Sequence, residues 1–333
     1  MATPPQDILE SLDRMHLSAG TQPNGERLTG GVSSDIWRID LPGRSICIKR
    51  ALPKLRVSAD WQAPVERNLY EARWMRVAGQ AAPAAIPALL GQDAVTGTLA
   101  MAYLPAERYP LWKTQLQNGL VDVGFATRVS QTLARIHAFT AADPTLAAEF
   151  PTDGIFFDIR LDPYLGQVGR THPDLAGRMQ QLISTTQQSR HALVHGDVSP
   201  KNILSGPEGP VFLDAECAWW GDPAFDLAFC LNHLMLKCLW VPQARSALLS
   251  SFHAMASGYL PQVTWEPPAA LQRRAAHLLP ALFLARIDGK SPVEYITQDT
   301  QRDIVRTFAR RLLFDPPDRL ADVAQAWNKE LAA

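Results

Sequence analysis

The sequence predicts an α+β protein. Three observations carry the assignment: strand-like runs gather before residue 105, segments of helical character dominate after it, and 333 residues with 47% hydrophobic content can bury two modest cores. A proline-marked break at Pro105 divides the chain into residues 1–105 and 106–333.

The elements follow in order. Leu28 to Ile39 has strand-like ends around a turn that holds Gly30, Gly31, Ser33 and Ser34. Ser45-Ile46-Cys47-Ile48-Lys49-Arg50 alternates apolar residues and ends in a lysine, so Lys49 and Arg50 take opposite faces of a strand. Pro64 precedes a helix over 65–77, with Leu69, Trp74 and Val77 among its apolar positions. Residues 98–105 read as a strand running into Pro105. Beyond it, helices fit 125–137 and 228–240; the second is apolar almost all round and stops before Pro242. Between these helices, Ala192-Leu193-Val194 and Val211-Phe212-Leu213 flank an insert with Ser205, Gly206, Pro207 and Gly209, the pattern of a hairpin-like strand pair.

The polar residues at the ends of those two runs suggest chemistry. His195, Gly196 and Asp197 close the first, Asn202 follows Asp197 by five positions, and Asp214 closes the second. Phosphoryl transfer needs a carboxylate to orient the attacking hydroxyl and oxygen ligands to fix Mg²⁺ on the phosphates. His195-Gly196-Asp197-Val198-Ser199-Pro200-Lys201-Asn202 matches the H-G-D-x-x-x-x-N loop of the aminoglycoside phosphotransferase and choline kinase superfamily, and Gly221-Asp222-Pro223-Ala224-Phe225-Asp226-Leu227-Ala228 resembles the segment that follows its metal aspartate. The resemblance implies a bilobal protein-kinase-like fold, with an antiparallel sheet in the small lobe, and an enzyme that moves the γ-phosphate of ATP to a small-molecule hydroxyl. Asp197 is then the catalytic base, Asn202 and Asp214 ligate Mg²⁺, and His195 and Asp226 brace the loop.

The same resemblance extends to the first 105 residues, where a nucleotide lobe is expected. It implies that Gly30, Gly31, Ser33 and Ser34 cover the triphosphate, that Lys49 holds the phosphates, and that Glu71 pairs with Lys49 in preference to Glu66. Tyr103 and Leu104 would border the purine. ATP is the expected nucleotide, with GTP left open.

The chain departs from protein kinases in ways that favour a small substrate. Ala215-Glu216 follows Asp214 where Phe-Gly would stand, Ser199 occupies the place of a loop lysine, and no A-P-E element is present. Candidate substrate-facing residues are Glu216, Trp219, Trp220, Asp158 and Arg160, although tryptophans at this density are more often core than binding surface. Arg286, Asp288 and Lys290, at a helix end and turn over 285–292, are further polar candidates. A sugar, an amino alcohol, an aminoglycoside or a related metabolite all remain open as acceptor. The alternatives are a pseudokinase that binds nucleotide without transfer and a zinc site on His191, His195 and Asp197, whose extended spacing disfavours it.

Composition narrows the partners. A net charge of −1 argues against nucleic-acid and acidic-membrane partners. No apolar run approaches the roughly 20 residues of a membrane span, the N-terminus lacks a signal pattern, and Cys47, Cys217, Cys230 and Cys238 show no metal or disulfide spacing. A cytoplasmic monomer or homodimer is expected. His137 and His233 have no chemical companion in sequence and read as packing residues.

Overall fold

The computed structural model describes residues 3–18, 23–28, 33–54, 56 and 61–332, so Gly30 and Gly31 lie outside the described residues. Strands β1 (Asn24–Leu28), β2 (Ser34–Leu41), β3 (Arg44–Ala51), β4 (Leu89–Asp93) and β5 (Thr98–Ala102) form one antiparallel sheet in the order β1-β2-β3-β5-β4. Strand alternation separates the two faces of β3. Ile46 and Ile48 pack with Ile8 and Leu12 of helix α1 (Gln6–Arg14) in a small core of their own. Lys49, one position on, meets helix α2 (Arg67–Ala81) on the other face through Glu71.

The second core is larger than a lobe. It runs from Trp74, Met75 and Val77 of α2 into the helical region without interruption. The packing of Trp74 edge-on against His195, with ring centres 4.8 Å apart, is one reason: an α2 side chain reaches into the catalytic-loop region.

After β5 come α3 (Trp112–Gln117), α4 (Val123–Ala141), α5 (Leu146–Glu149) and α6 (Asp153–Phe156), then a ten-residue π-helix over Phe157–Gly166, followed by α7 (Gln167–Thr171) and α8 (Ala176–Gln188). Four short strands carry the motif region: β6 (Ala192–Val194), β7 (Ile203–Gly206), β8 (Gly209–Phe212) and β9 (Trp219–Gly221). The chain closes with α9 (Pro223–Trp240), α10 (Arg245–Tyr259), α11 (Pro268–Asp288), α12 (Asp299–Phe314) and α13 (Leu320–Glu330).

The expected pairing of 192–194 with 211–213 does not occur. β6 pairs with β9, and β8 pairs with β7, whose turn at Pro207 and Glu208 makes the tight hairpin. The physical reason is the loop itself: after Val194 the chain turns through Gly196 and the short helical turn Pro200–Asn202, so the next strand it can form is β7. Helix α9 starts five residues before the expected 228. Pro223 fits the first helical turn, where no intrahelical partner for its nitrogen is needed, and Asp222 caps Ala224 N at 3.0 Å.

Candidate active site

A fully buried carboxylate holds the loop that carries Asp197 and Asn202. Asp226, on the first turn of α9, accepts from the backbone amides of His195 at 2.7 Å and Gly196 at 2.8 Å, and its Oδ2 lies 3.2 Å from His137 Nε2. His195 sets the remaining geometry: Nε2 donates to Leu213 O at 3.1 Å, and Nδ1 accepts from Asp197 N at 3.2 Å. Burial holds this imidazole below its ordinary pKa, which suits a ring with one donor and one acceptor nitrogen. His137 is thus more than the packing residue expected, since its other nitrogen meets Tyr259 Oη at 2.6 Å.

Gly196 takes φ +79°, and a Cβ there would stand 2.7 Å from both Cys217 Cβ and Cys217 O. Gly196→Ala should therefore lose about 1–3 kcal/mol of stability to the backbone conformation alone, with the clash added. Urea unfolding of the variant measures it; an unchanged midpoint would contradict the geometry.

Asp197 is buried and does not stand alone. Arg160, carried by the π-helix, gives Nη2 to Asp197 Oδ2 at 2.8 Å, Nε to Gly196 O at 2.6 Å and Nη1 to Ile159 O at 2.7 Å. Lys201 Nζ approaches the same Oδ2 at 3.1 Å with its side chain 43% exposed. Burial works against ionisation of Asp197, but Arg160 and Lys201 outweigh it and keep the carboxyl below the usual range. Among the described residues no donor is bonded to Oδ1, which leaves one oxygen of this carboxylate for another molecule.

Asn202 and Asp214 flank the β7–β8 hairpin. Asn202 Nδ2 donates to Asp197 O at 3.0 Å, and Leu213 N donates to Asn202 O at 2.9 Å. Asp214 adopts φ +69°, an uncommon conformation for a residue other than glycine, with its side chain 25% exposed. One amide oxygen and one carboxylate make an all-oxygen set that fits a hard divalent cation such as Mg²⁺.

Lys49 closes the site from the sheet. Its Nζ donates to Glu71 Oε2 at 2.5 Å and also to Asp214 Oδ1, so the three side chains meet although they come from three elements. Burial disfavours the ammonium, but Asp214 and Glu71 outweigh it and raise the pKa above the ordinary range. Glu66 stands at the N-terminal end of α2, away from this contact.

The other sequence candidates fall in several places. Ser33 and Ser34 are buried at the start of β2, and Tyr103 and Leu104 follow β5 half-buried. Asp158 is exposed. Trp219 and Trp220 lie inside the large lobe, Trp219 stacked on Phe156 at 4.4 Å. Glu216 is buried and accepts from Arg67 Nε at 3.0 Å; the same guanidinium donates to the carbonyls of Ser33, Leu52, Ala63 and Pro64. His191 faces Glu266 at 3.8 Å, and no group of three metal-binding His, Cys, Asp or Glu side chains occurs among the described residues.

Arg67, Lys201 and the loop-holding role of Arg160 escape the sequence reading. Lys201 alone left a local signal, four residues after Asp197 in the loop.

A family model described as phosphotransferase enzyme family matches residues 24–259. The chain is 24% identical to a methylthioribose kinase of Bacillus cereus over 229 residues, a stretch that spans 61% of this chain and 58% of that protein. Its fold is similar to that of an ethanolamine kinase of Plasmodium vivax, with a TM-score of 0.57 and 11% identity over 93% of this chain and 90% of that one. A spectinomycin phosphotransferase solved with ADP and spectinomycin is similar at a TM-score of 0.52 and 12% identity, covering 97% and 98% of the two chains. Among the described residues no helix is long and apolar enough to cross a membrane.

Proposed function

Because the chain belongs to the phosphotransferase enzyme family, we propose that it transfers the γ-phosphate of ATP to a hydroxyl of a small molecule. The observation that carries this reading is the convergence of Lys49, Glu71, Asp197, Asn202 and Asp214 from the sheet, α2 and the loop region. Residues 1–105 serve as the nucleotide lobe and residues 106–333 as the catalytic and acceptor lobe.

Each side chain has a defined task. Asp197, fixed at Oδ2 by Arg160 and Lys201, accepts the proton of the acceptor hydroxyl at Oδ1 and aims its oxygen at the phosphorus. Lys49, positioned by Glu71, neutralises phosphate oxygens. Asn202 and Asp214 would hold Mg²⁺, which when bound spreads the charge of the phosphates. In the absence of nucleotide, Asp214 and Lys49 neutralise each other. His195 and Asp226 keep the loop in register. The methylthioribose, ethanolamine and spectinomycin named for its relatives all offer hydroxyls, and this supports a small-molecule acceptor.

Purified protein supplied with Mg·ATP and a panel of sugars, amino alcohols and aminoglycosides tests the proposal, with Asp197→Ala as the blank. Phosphate transfer to a panel member is expected, and it should vanish in the blank. ATP binding without transfer to any acceptor would favour the nucleotide-binding module instead.

A further inference from the structure

Lys201 is the single lysine of the loop 195–202, and its backbone is pinned from several sides. It lies in the short helical turn Pro200–Asn202. Pro200 fixes the backbone at the head of that turn, and Asn202 N closes it on Ser199 O at 2.8 Å. Asn202 Nδ2 ties the turn back to Asp197 O, and Leu213 N, one residue before Asp214, ties it to the chain beyond the hairpin. Helix α3 packs on the same turn. The Cα of Lys201 therefore has little room to move relative to Asp197 and Asp214.

Its side chain is held far less. Lys49, Lys201 and Arg160 all act on Asp214, and two of them are fully engaged with the protein. Arg160, 8% exposed, commits its donors to Asp197 Oδ2, Gly196 O and Ile159 O. Lys49 is buried and bonded to both Glu71 and Asp214. Lys201 differs: its side chain is 43% exposed, and its one partner among the described residues is Asp197 Oδ2 at 3.1 Å. Burial opposes ionisation of both Lys201 and Asp214, yet each favours the charged form of the other, so this ammonium is within electrostatic reach of Asp197 and Asp214 alike. An ion pair so exposed stabilises a fold little, and the remaining N–H groups of the ammonium are available to another molecule.

We infer that Lys201 is a further catalytic residue, which donates to the non-bridging oxygens of the γ-phosphoryl group in bound ATP and as that group passes to the acceptor. This rests on the phosphotransferase reading and adds a group to its site. The acceptor oxygen forms its bond to phosphorus as the bond from phosphorus to the bridging oxygen breaks, the acceptor proton goes to Asp197 Oδ1, and ADP leaves with the electron pair of the broken bond. Lys201 keeps its proton throughout and supplies charge alone. On that reading the phosphorus travels between the acceptor at Asp197 and the nucleotide at Asp214. A cation on a pinned turn, within reach of both, meets the charge of the transferred group without rearrangement.

Calorimetry of the full chain with Mg·AMP-PNP and Mg·ADP tests the assignment before any acceptor is identified. Lys201→Met should weaken Mg·AMP-PNP by about tenfold and leave Mg·ADP close to the parent value, because only the triphosphate carries the oxygens that Lys201 meets. Lys201→Arg, which keeps the charge, should retain most of the preference for the triphosphate. A lysine that served only to hold Asp197 would lose its effect once that carboxylate is gone. The decisive comparison is therefore Lys201→Met in an Asp197→Asn background, where Mg·AMP-PNP should again weaken by about tenfold and Mg·ADP should not. The exposure of the pair predicts that Lys201→Met melts close to the parent. With an acceptor from the panel, kcat should fall by on the order of 10²-fold in Lys201→Met while the KM of the acceptor stays near that of the parent. An unchanged ratio of AMP-PNP to ADP affinity in either background would overturn the inference and leave the kinase reading intact. That reading fails separately, if neither nucleotide binds the parent in the presence of Mg²⁺.

Discussion

Asp197→Asn is expected to lower turnover by on the order of 10²- to 10⁴-fold while Mg·ATP affinity stays close to that of the parent. The substitution keeps the shape of the side chain and removes its ability to accept a proton. Arg160 retains Gly196 O and Ile159 O as acceptors, so the loop should keep its path. On the proposed reading the nucleotide phosphates are met by Lys49 and by a cation held at Asn202 and Asp214, none of which the change removes, and binding should survive. Single-turnover kinetics with nucleotide titration on the same preparation separate the two quantities. Turnover within tenfold of the parent would remove Asp197 from its assigned role, whereas loss of nucleotide binding together with turnover would point to collapse of the loop.

Asp226→Ala should have the largest effect on stability. Two backbone amides and His137 Nε2 converge on this carboxylate in an interior without water access, and its removal strands three polar groups at once. At about 1–3 kcal/mol for each buried group left unsatisfied, the expected cost is roughly 3–5 kcal/mol even with partial relaxation. That is a large share of the stability of a typical domain, about 5–15 kcal/mol. Denaturant unfolding should show a strongly lowered midpoint with little change in slope. His137→Phe, which leaves both amide bonds to Asp226 in place, should cost distinctly less; equal losses in the two variants would mean that the amides contribute nothing.

How legible the site is in sequence depends on how local its contacts are. Asp197 and Asn202 stand five residues apart in one loop, so their joint presentation follows from a short stretch of backbone. The pairing of Lys49 with Glu71 spans one strand and one helix, and helix periodicity limits the choice to a few carboxylates. Arg67 and Glu216 are 149 positions apart, and nothing near either announces the other. Arg160 reaches Gly196 from a π-helical segment 36 positions earlier, and its sequence, with Pro163 inside, carries no clear period. A hydrogen bond of this kind depends on where two packed elements cross, which no window of sequence encodes.

The sequence by itself determined the α+β class and the kinase-like family, because the strand runs, the H-G-D-x-x-x-x-N loop and the G-D-P-x-x-D-L-A segment are local patterns with their own physical reasons. Tertiary structure alone decided which strands pair around the loop, which cations hold Asp197, and that Lys237 lies buried over the rings of Trp240 and Tyr295. The reason is common to all three. Charge and register take their energetic meaning from what the folded chain brings alongside them, and in each case one such neighbour is distant in sequence.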